Sequence, residues 1–172
     1  EMGTGSRTSL PMVVADEMGA DWARGKIIQA EGDEPKYGNQ DTDGSRSMRH
    51  HIQSMREIGA SVRHMLAVAA AQHWGLEPAD GRIEQWAPPE DELKPGLVEV
   101  GVHEVRNVKT GETIGFGELA EVAMDIPVPD SESLTFRSEA EFRYIGKGEV
   151  SIYDLHDITT GKAVYGADVM LP

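Results

Sequence analysis

Apolar residues recur along this chain with two different periods. Near the start, Leu10, Val13, Val14 and Met18 are spaced by three and four, the period of one helix face. Pro11 fits the first turn of such a helix, where a missing N–H costs nothing, and Gly19 predicts its end. Lys26-Ile27-Ile28-Gln29-Ala30 predicts a short strand, and residues 31–44, rich in Gly, Asp, Asn and Pro, a loop. The strongest pattern covers residues 45–74. Met48, Ile52, Met55, Gly59, Val62, Leu66, Ala69 and His73 alternate in steps of four and three, with Ile58 and Met65 widening the stripe. That predicts one long amphipathic helix. Gly59 and Ala69 are small enough to admit a close neighbour, and Gly75 closes the helix.

The second half reads in shorter pieces. Residues 80–95 are acidic and Pro-rich, with Pro88-Pro89-Glu90-Asp91-Glu92 as an exposed loop. Val98, Val100, Val102 and Val105 predict a strand over 98–105, and a turn at 109–112 leads to a return strand over 113–116. A short helix is predicted over 118–124, a linker over 127–133, and extended segments at 142–145 and 151–153. A turn at 159–162 precedes a possible strand at 163–165. There is no internal repeat. The predicted class is α+β: a small mixed sheet, a helix entered from a Gly loop, and one long helix.

Composition narrows the functions. The chain has 172 residues, with 16 Lys+Arg against 30 Asp+Glu and a net charge of −14. That balance opposes nucleic-acid binding, which needs a concentrated basic surface, and an anionic membrane would repel it. The 39% of apolar residues suffices for a core. With no cysteine, disulfides, thiolate zinc sites, iron–sulfur ligation and thiol nucleophiles are excluded within this chain. The longest apolar run, Met65 to Ala71, is far below the roughly 20 residues of a spanning helix, so no direct membrane insertion is expected. Glu1-Met2-Gly3-Thr4-Gly5 does not read as a signal peptide. A Gly-rich turn normally follows a strand, and Val169-Met170-Leu171-Pro172 is apolar, so the chain reads as a piece of a longer one.

Two short segments carry candidate chemistry. Gly3-Thr4-Gly5-Ser6-Arg7-Thr8 leads into a helix, whose first N–H groups and dipole favour an anion such as a phosphate. Ser6, Arg7 and Thr8 could add side-chain donors, while the alternative is an ordinary turn capped by Ser or Thr. The spacing matches neither a dinucleotide fingerprint nor a Walker loop. Thr42-Asp43-Gly44-Ser45-Arg46-Ser47 repeats the combination at the start of the long helix. Its calcium-loop reading fails, because His50 stands where a bidentate Glu is required. The alternative is an Asp or Ser cap. Two such starts in one domain could clasp an elongated, phosphate-bearing ligand. The six histidines show no metal-ligand spacing, and the many acids read as a solvated face. No nucleophile elbow is present.

The segments together resemble a known family. Glu1-Met2-Gly3-Thr4-Gly5-Ser6-Arg7-Thr8 followed by Leu10-Pro11-Met12-Val13-Val14-Ala15-Asp16-Glu17 is similar to a cofactor-binding segment of the xanthine dehydrogenase/aldehyde oxidase family, in its molybdopterin-binding large subunit. Gly38-Asn39-Gln40-Asp41-Thr42-Asp43-Gly44-Ser45-Arg46-Ser47 with the following helix, Phe142-Arg143-Tyr144-Ile145-Gly146-Lys147, and residues 157–168 resemble it too. The branch resembled is the isoquinoline 1-oxidoreductase type found in bacteria.

The resemblance implies an oxidoreductase that hydroxylates an N-heterocycle or an aldehyde with oxygen from water. It implies a molybdopterin cytosine dinucleotide carrying molybdenum, and iron–sulfur clusters on a small partner subunit. It implies cofactor contacts from Gly3, Thr4, Gly5, Ser6, Arg7 and Thr8, and from Thr42, Asp43, Gly44, Ser45, Arg46 and Ser47. Residues 1–150 would be part of a molybdopterin-binding domain and residues 151–172 the start of a hammerhead-like one. Many members carry Gln, whose amide reaches a molybdenum ligand, where this chain has Thr4, whose hydroxyl is shorter, so no contact with the metal centre is assigned to it. The family's catalytic glutamate lies in a segment this chain lacks, so no catalytic residue is assigned and no turnover is expected of it alone. A bacterial location is implied, with the periplasm favoured. Without the family, the same loops fit a stand-alone anion-binding module or a non-catalytic interaction domain.

Overall fold

The computed structural model describes residues 5–41, 43–76 and 97–171. Gly3, Thr4, Thr42 and the acidic stretch at 80–95 lie outside the described residues.

Helix α1 spans Ser6–Met18, between Gly5 (φ 69°) and Gly19 (φ 79°), both in the left-handed conformation that glycine adopts without a Cβ penalty. The Gly5 carbonyl accepts from the N–H groups of Thr8 (3.0 Å) and Ser9 (2.9 Å) and from Ser9 Oγ (2.7 Å). The helix thus starts before its apolar stripe does. Pro11 consequently sits in the interior, not the first turn, and leaves the Arg7 carbonyl without its usual donor. A single 3-10 turn follows at Trp22–Arg24. Residues 26–30 form no strand among the described residues, contrary to their pattern. The predicted loop contains a one-turn helix, α2 (Glu34–Tyr37), capped by Asp33.

The long helix α3 spans Arg46–His73, close to its predicted bounds. Its buried face is not the whole predicted stripe. Gly59, Ala60, Arg63, Leu66, Ala67 and Ala69 to Ala71 are buried, whereas Ile52, Ile58 and His73 are exposed. The C-terminal half of α3 lies on a sheet of three strands, β1 (Val98–Val100), β2 (Glu104–Asn107) and β3 (Thr113–Gly115), in the order β1-β2-β3. Both pairings are antiparallel, so this sheet is a meander rather than the predicted mixed sheet. The short turns leave no room for a parallel crossover.

The predicted strand over 98–105 is in fact two. The chain turns at Gly101-Val102-His103, with His103 at φ 59°, and Val100 pairs with Val105. The odd spacing from Val102 to Val105 already breaks a period of two. Val98, Val100, Val105 and Ile114 face α3, and Glu99 pairs with Arg106 on the other face. Asn107 is buried and closes the β2–β3 turn, its Oδ1 accepting from Lys109 N (2.9 Å) and Thr110 N (3.1 Å).

Helix α4 (Phe116–Met124) completes the layer, adding Phe116, Leu119 and Ala123 to the core. Glu118 reaches back to the Gly115 N–H at 3.3 Å. The segments at 142–145, 151–153 and 163–165 are not strands. Helix α5 (Leu155–Thr160) ends at Gly161, so the predicted turn at 159–162 is that helix's C-terminus.

Gly59 sets how α1 meets α3. A Cβ there would lie 2.6 Å from Glu17 Cβ and 2.8 Å from the Val14 carbonyl oxygen, so the backbones touch. Met55 shares a groove with Leu10 and Pro11, Gly59 meets Val14 and Met18, and Arg63 reaches the Glu17 carbonyl.

Candidate functional site

At the first helix start, Gly5 replaces the expected Ser or Thr cap, with no side-chain cap bond. Its φ is 69°, and no atom of the described residues beyond its chain neighbours lies within 4 Å of its Cβ position. Arg7 lies over the Tyr153 ring, Cζ to centroid 4.7 Å, and its Nε is buried with no hydrogen-bond partner among the described residues. Thr8 is buried, and its Oγ1 accepts from the Tyr153 N–H at 2.8 Å. Arg7 and Thr8 thus also hold the segment that enters α5.

At the second start, Gly44 (φ 46°) and Ser45 (φ 60°) are both left-handed, and Ser45 makes no side-chain cap. Arg46 is turned back onto its own loop. Its Nη1 lies 3.1 Å from Asp43 Oδ1 and 3.6 Å from Asp41 Oδ2. Both carboxylates are about two-thirds exposed, so these pairs are weak and an incoming anion can displace them at small cost.

The two helices that carry these starts are joined by charges whose pattern in the sequence reads as a solvated face. Asp16 and Glu17 are instead fully buried. Asp16 accepts from three successive backbone N–H groups, Arg143 (2.8 Å), Tyr144 (3.2 Å) and Ile145 (2.8 Å). This is why residues 142–145 turn instead of extending. Glu17 accepts from Arg56 Nε (2.6 Å), the Arg137 N–H (3.0 Å) and Arg63 Nη1 (3.3 Å). Arg63 also donates to the Glu17 carbonyl (2.7 Å) and, through Nη2, to the Thr135 carbonyl (2.6 Å). Arg56 donates to the Arg137 carbonyl (2.6 Å) and lies over the Phe136 ring. An acid in the last turn of a helix opposes the dipole, and these arginines offset that. The missed signal was the placement: Asp16-Glu17 interrupts an apolar stripe, and Arg56 and Arg63 flank Gly59 on one helix face.

Two histidines are also placed structurally. His103 caps the hairpin tip, its N–H donating to the Gly19 carbonyl at 2.8 Å and its ring packing on Phe116. Burial, then Arg24, holds its imidazole below the usual range, against a smaller opposing effect of Asp21. Burial, then Arg63, lowers His64 likewise. Among the described residues, no group of three or more His, Cys, Asp or Glu side chains could hold a metal ion. No described helix is long and apolar enough to cross a membrane.

No family model matches the sequence. The chain is similar to parts of three longer curated proteins. The beta-subunit of isoquinoline 1-oxidoreductase from Brevundimonas diminuta is 27% identical over 203 residues, covering 100% of this chain and 24% of that protein. The membrane-bound aldehyde dehydrogenase (pyrroloquinoline-quinone) of Gluconacetobacter polyoxogenes is 30% identical over 173 residues, covering 98% of this chain and 20% of that protein. One subunit of the nicotinate dehydrogenase of Pseudomonas putida is 27% identical over 180 residues, covering 100% of this chain and 13% of that protein. The chain therefore spans a quarter or less of the length of these relatives. All three are oxidoreductases by name and two are named as single subunits, so the similarity supports an oxidoreductase family and no particular member.

Proposed function

We propose that this chain is part of the molybdenum-cofactor-binding large subunit of a hydroxylase, and that its two helix starts hold the pterin dinucleotide. The observation that carries this reading is that both helices enter from a left-handed turn with no side-chain cap, at Gly5 and at Gly44-Ser45, and that the two helices pack closely at Gly59. A dinucleotide has a pyrophosphate, and uncapped helix starts offer N–H groups and positive dipole ends to such an anion. Gly3, Thr4 and Gly5 would give backbone contacts, with Ser6, Arg7 and Thr8 adding donors. Thr42, Asp43, Gly44, Ser45, Arg46 and Ser47 would do the same at the second start, where Arg46 exchanges Asp41 and Asp43 for phosphate. Among the described residues the buried Arg7 Nε has no hydrogen-bond partner and nothing crowds Gly5, which fits an anionic group there.

When bound, the cofactor supplies two-electron oxidation of an N-heterocycle or aldehyde with oxygen from water, its electrons leaving to iron–sulfur clusters on a small subunit. The chain's own residues bind and orient. The relatives' lengths support catalysis that needs the remainder of a longer subunit, so these residues alone are inactive.

The test is elemental molybdenum and released cytidine nucleotide, measured on the complete subunit. The parent should carry both in near-stoichiometric amounts. Arg46→Ala and Gly5→Val should each lower retention roughly tenfold or more, the scale of one charge-assisted contact. A parent without molybdenum would overturn the reading, as would variants with full cofactor content. A quinone in its place would favour the cofactor in the Gluconacetobacter relative's name.

A further inference from the structure

The segment over 26–30 carries a strand pattern and has no strand partner among the described residues. None of its backbone N–H groups donates a hydrogen bond there, and its one engaged carbonyl, Ala30, meets only the neighbouring Gln29 side chain at 3.5 Å. Yet the segment is delivered to a defined place. The Trp22 N–H donates to Tyr144 Oη at 2.9 Å, and the Gly25 N–H to the Trp22 carbonyl at 3.0 Å. Beside it runs an apolar groove of about 350 Å³, floored by Leu10, Val14 and Met18 of α1 and closed by Met55 and Ile27.

The side chains indicate what is missing. Ile27 faces the groove, while Ile28, one residue on, is 78% exposed. Successive strand residues point to opposite faces, so two adjacent β-branched residues call for cover on both. The stripe Leu10, Val14 and Met18 is only half-buried, as expected of a helix that covers one face of a sheet not yet complete. A segment with a strand pattern and free backbone groups is a template for a further strand.

We infer that residues 26–30 form a sheet edge that pairs with a β-strand of the same, longer polypeptide from outside these 172 residues. That strand's inward side chains fill the groove over Leu10, Val14 and Met18. The relatives' lengths favour this source, since 76% or more of each lies beyond the matched part. The inference stands apart from the cofactor reading, because it concerns backbone pairing.

Hydrogen exchange on the complete polypeptide tests it. The amides of residues 27–30 should exchange roughly 100-fold or more slowly than in an unstructured peptide. Exchange at the unstructured rate overturns the proposal. Replacing Ile28 by the photo-cross-linking residue, Ile28→benzoylphenylalanine, identifies the partner. The cross-linked peptide should map outside residues 1–172. A cross-link to residues 77–96, or a covalent dimer lost on dilution, overturns the assigned source. Should that variant not accumulate, Gln29→benzoylphenylalanine probes the same edge from an exposed position.

Discussion

Replacing Gly59 by Ala tests the helix crossing on which the site depends. The added Cβ would lie 2.6 Å from Glu17 Cβ, 2.8 Å from the Val14 oxygen and 3.3 Å from the Met18 nitrogen. Two of these atoms are backbone, so no rotamer change relieves them. Relief requires α1 and α3 to separate by roughly 0.6–0.8 Å, at which distance packing contacts weaken steeply. The separation also stretches the 2.6 Å Arg56–Glu17 and 2.7 Å Arg63–Glu17 bonds. Overpacking of this kind costs about 1–3 kcal/mol, and backbone clashes belong in its upper half. Ala gains about 1 kcal/mol over Gly in helix propensity, leaving a net loss of about 1–2 kcal/mol. In a domain of this size that lowers Tm by roughly 2–8 °C. The control is Gly117→Ala in α4, where a Cβ meets nothing within 4 Å. There the same change should stabilise by about 0.4–1 kcal/mol. Thermal and urea unfolding followed by circular dichroism would compare the three proteins. If Gly59→Ala unfolds at or above the parent midpoint while Gly117→Ala behaves as expected, the close crossing is wrong.

Glu17→Gln leaves the buried Arg63 and the largely covered Arg56 without their carboxylate, which should cost about 3–5 kcal/mol in urea unfolding; a change below about 1 kcal/mol would reject the hub assigned to Glu17. Both His64 and His103 are held below the usual value of 6.5, so the fold favours their neutral forms and the unfolded chain binds protons more readily. Their contribution is complete above 6.5 and is lost as pH falls through the lowered folded values. His64→Gln and His103→Asn, the latter chosen because Asn tolerates the left-handed backbone, should therefore flatten Tm against pH on the acid side. Unchanged slopes in both variants would contradict this.

The pattern of apolar residues was sufficient for local structure wherever one period ran uninterrupted. The long helix, the hairpin strand 113–115 and the helix after it follow from spacing and from glycine termini, because those signals act within one or two turns of chain. The helix starts at Gly5 and Gly44 were visible for the same reason. Pattern misled where a tertiary partner outweighed it. Residues 142–145 look extended, but the Asp16 carboxylate gathers their N–H groups into a turn.

By itself, then, the sequence determined that the chain is acidic, cysteine-free and α+β, with two glycine-bearing helix entries. Tertiary structure decided which half of α3 is covered and that Asp16 and Glu17 are internal. Those depend on residues more than 30 positions apart, Glu17 with Arg56 and Asp16 with Tyr144, meeting through the narrow contact at Gly59. A charge's burial is set by what packs over it, which spacing along one helix does not encode.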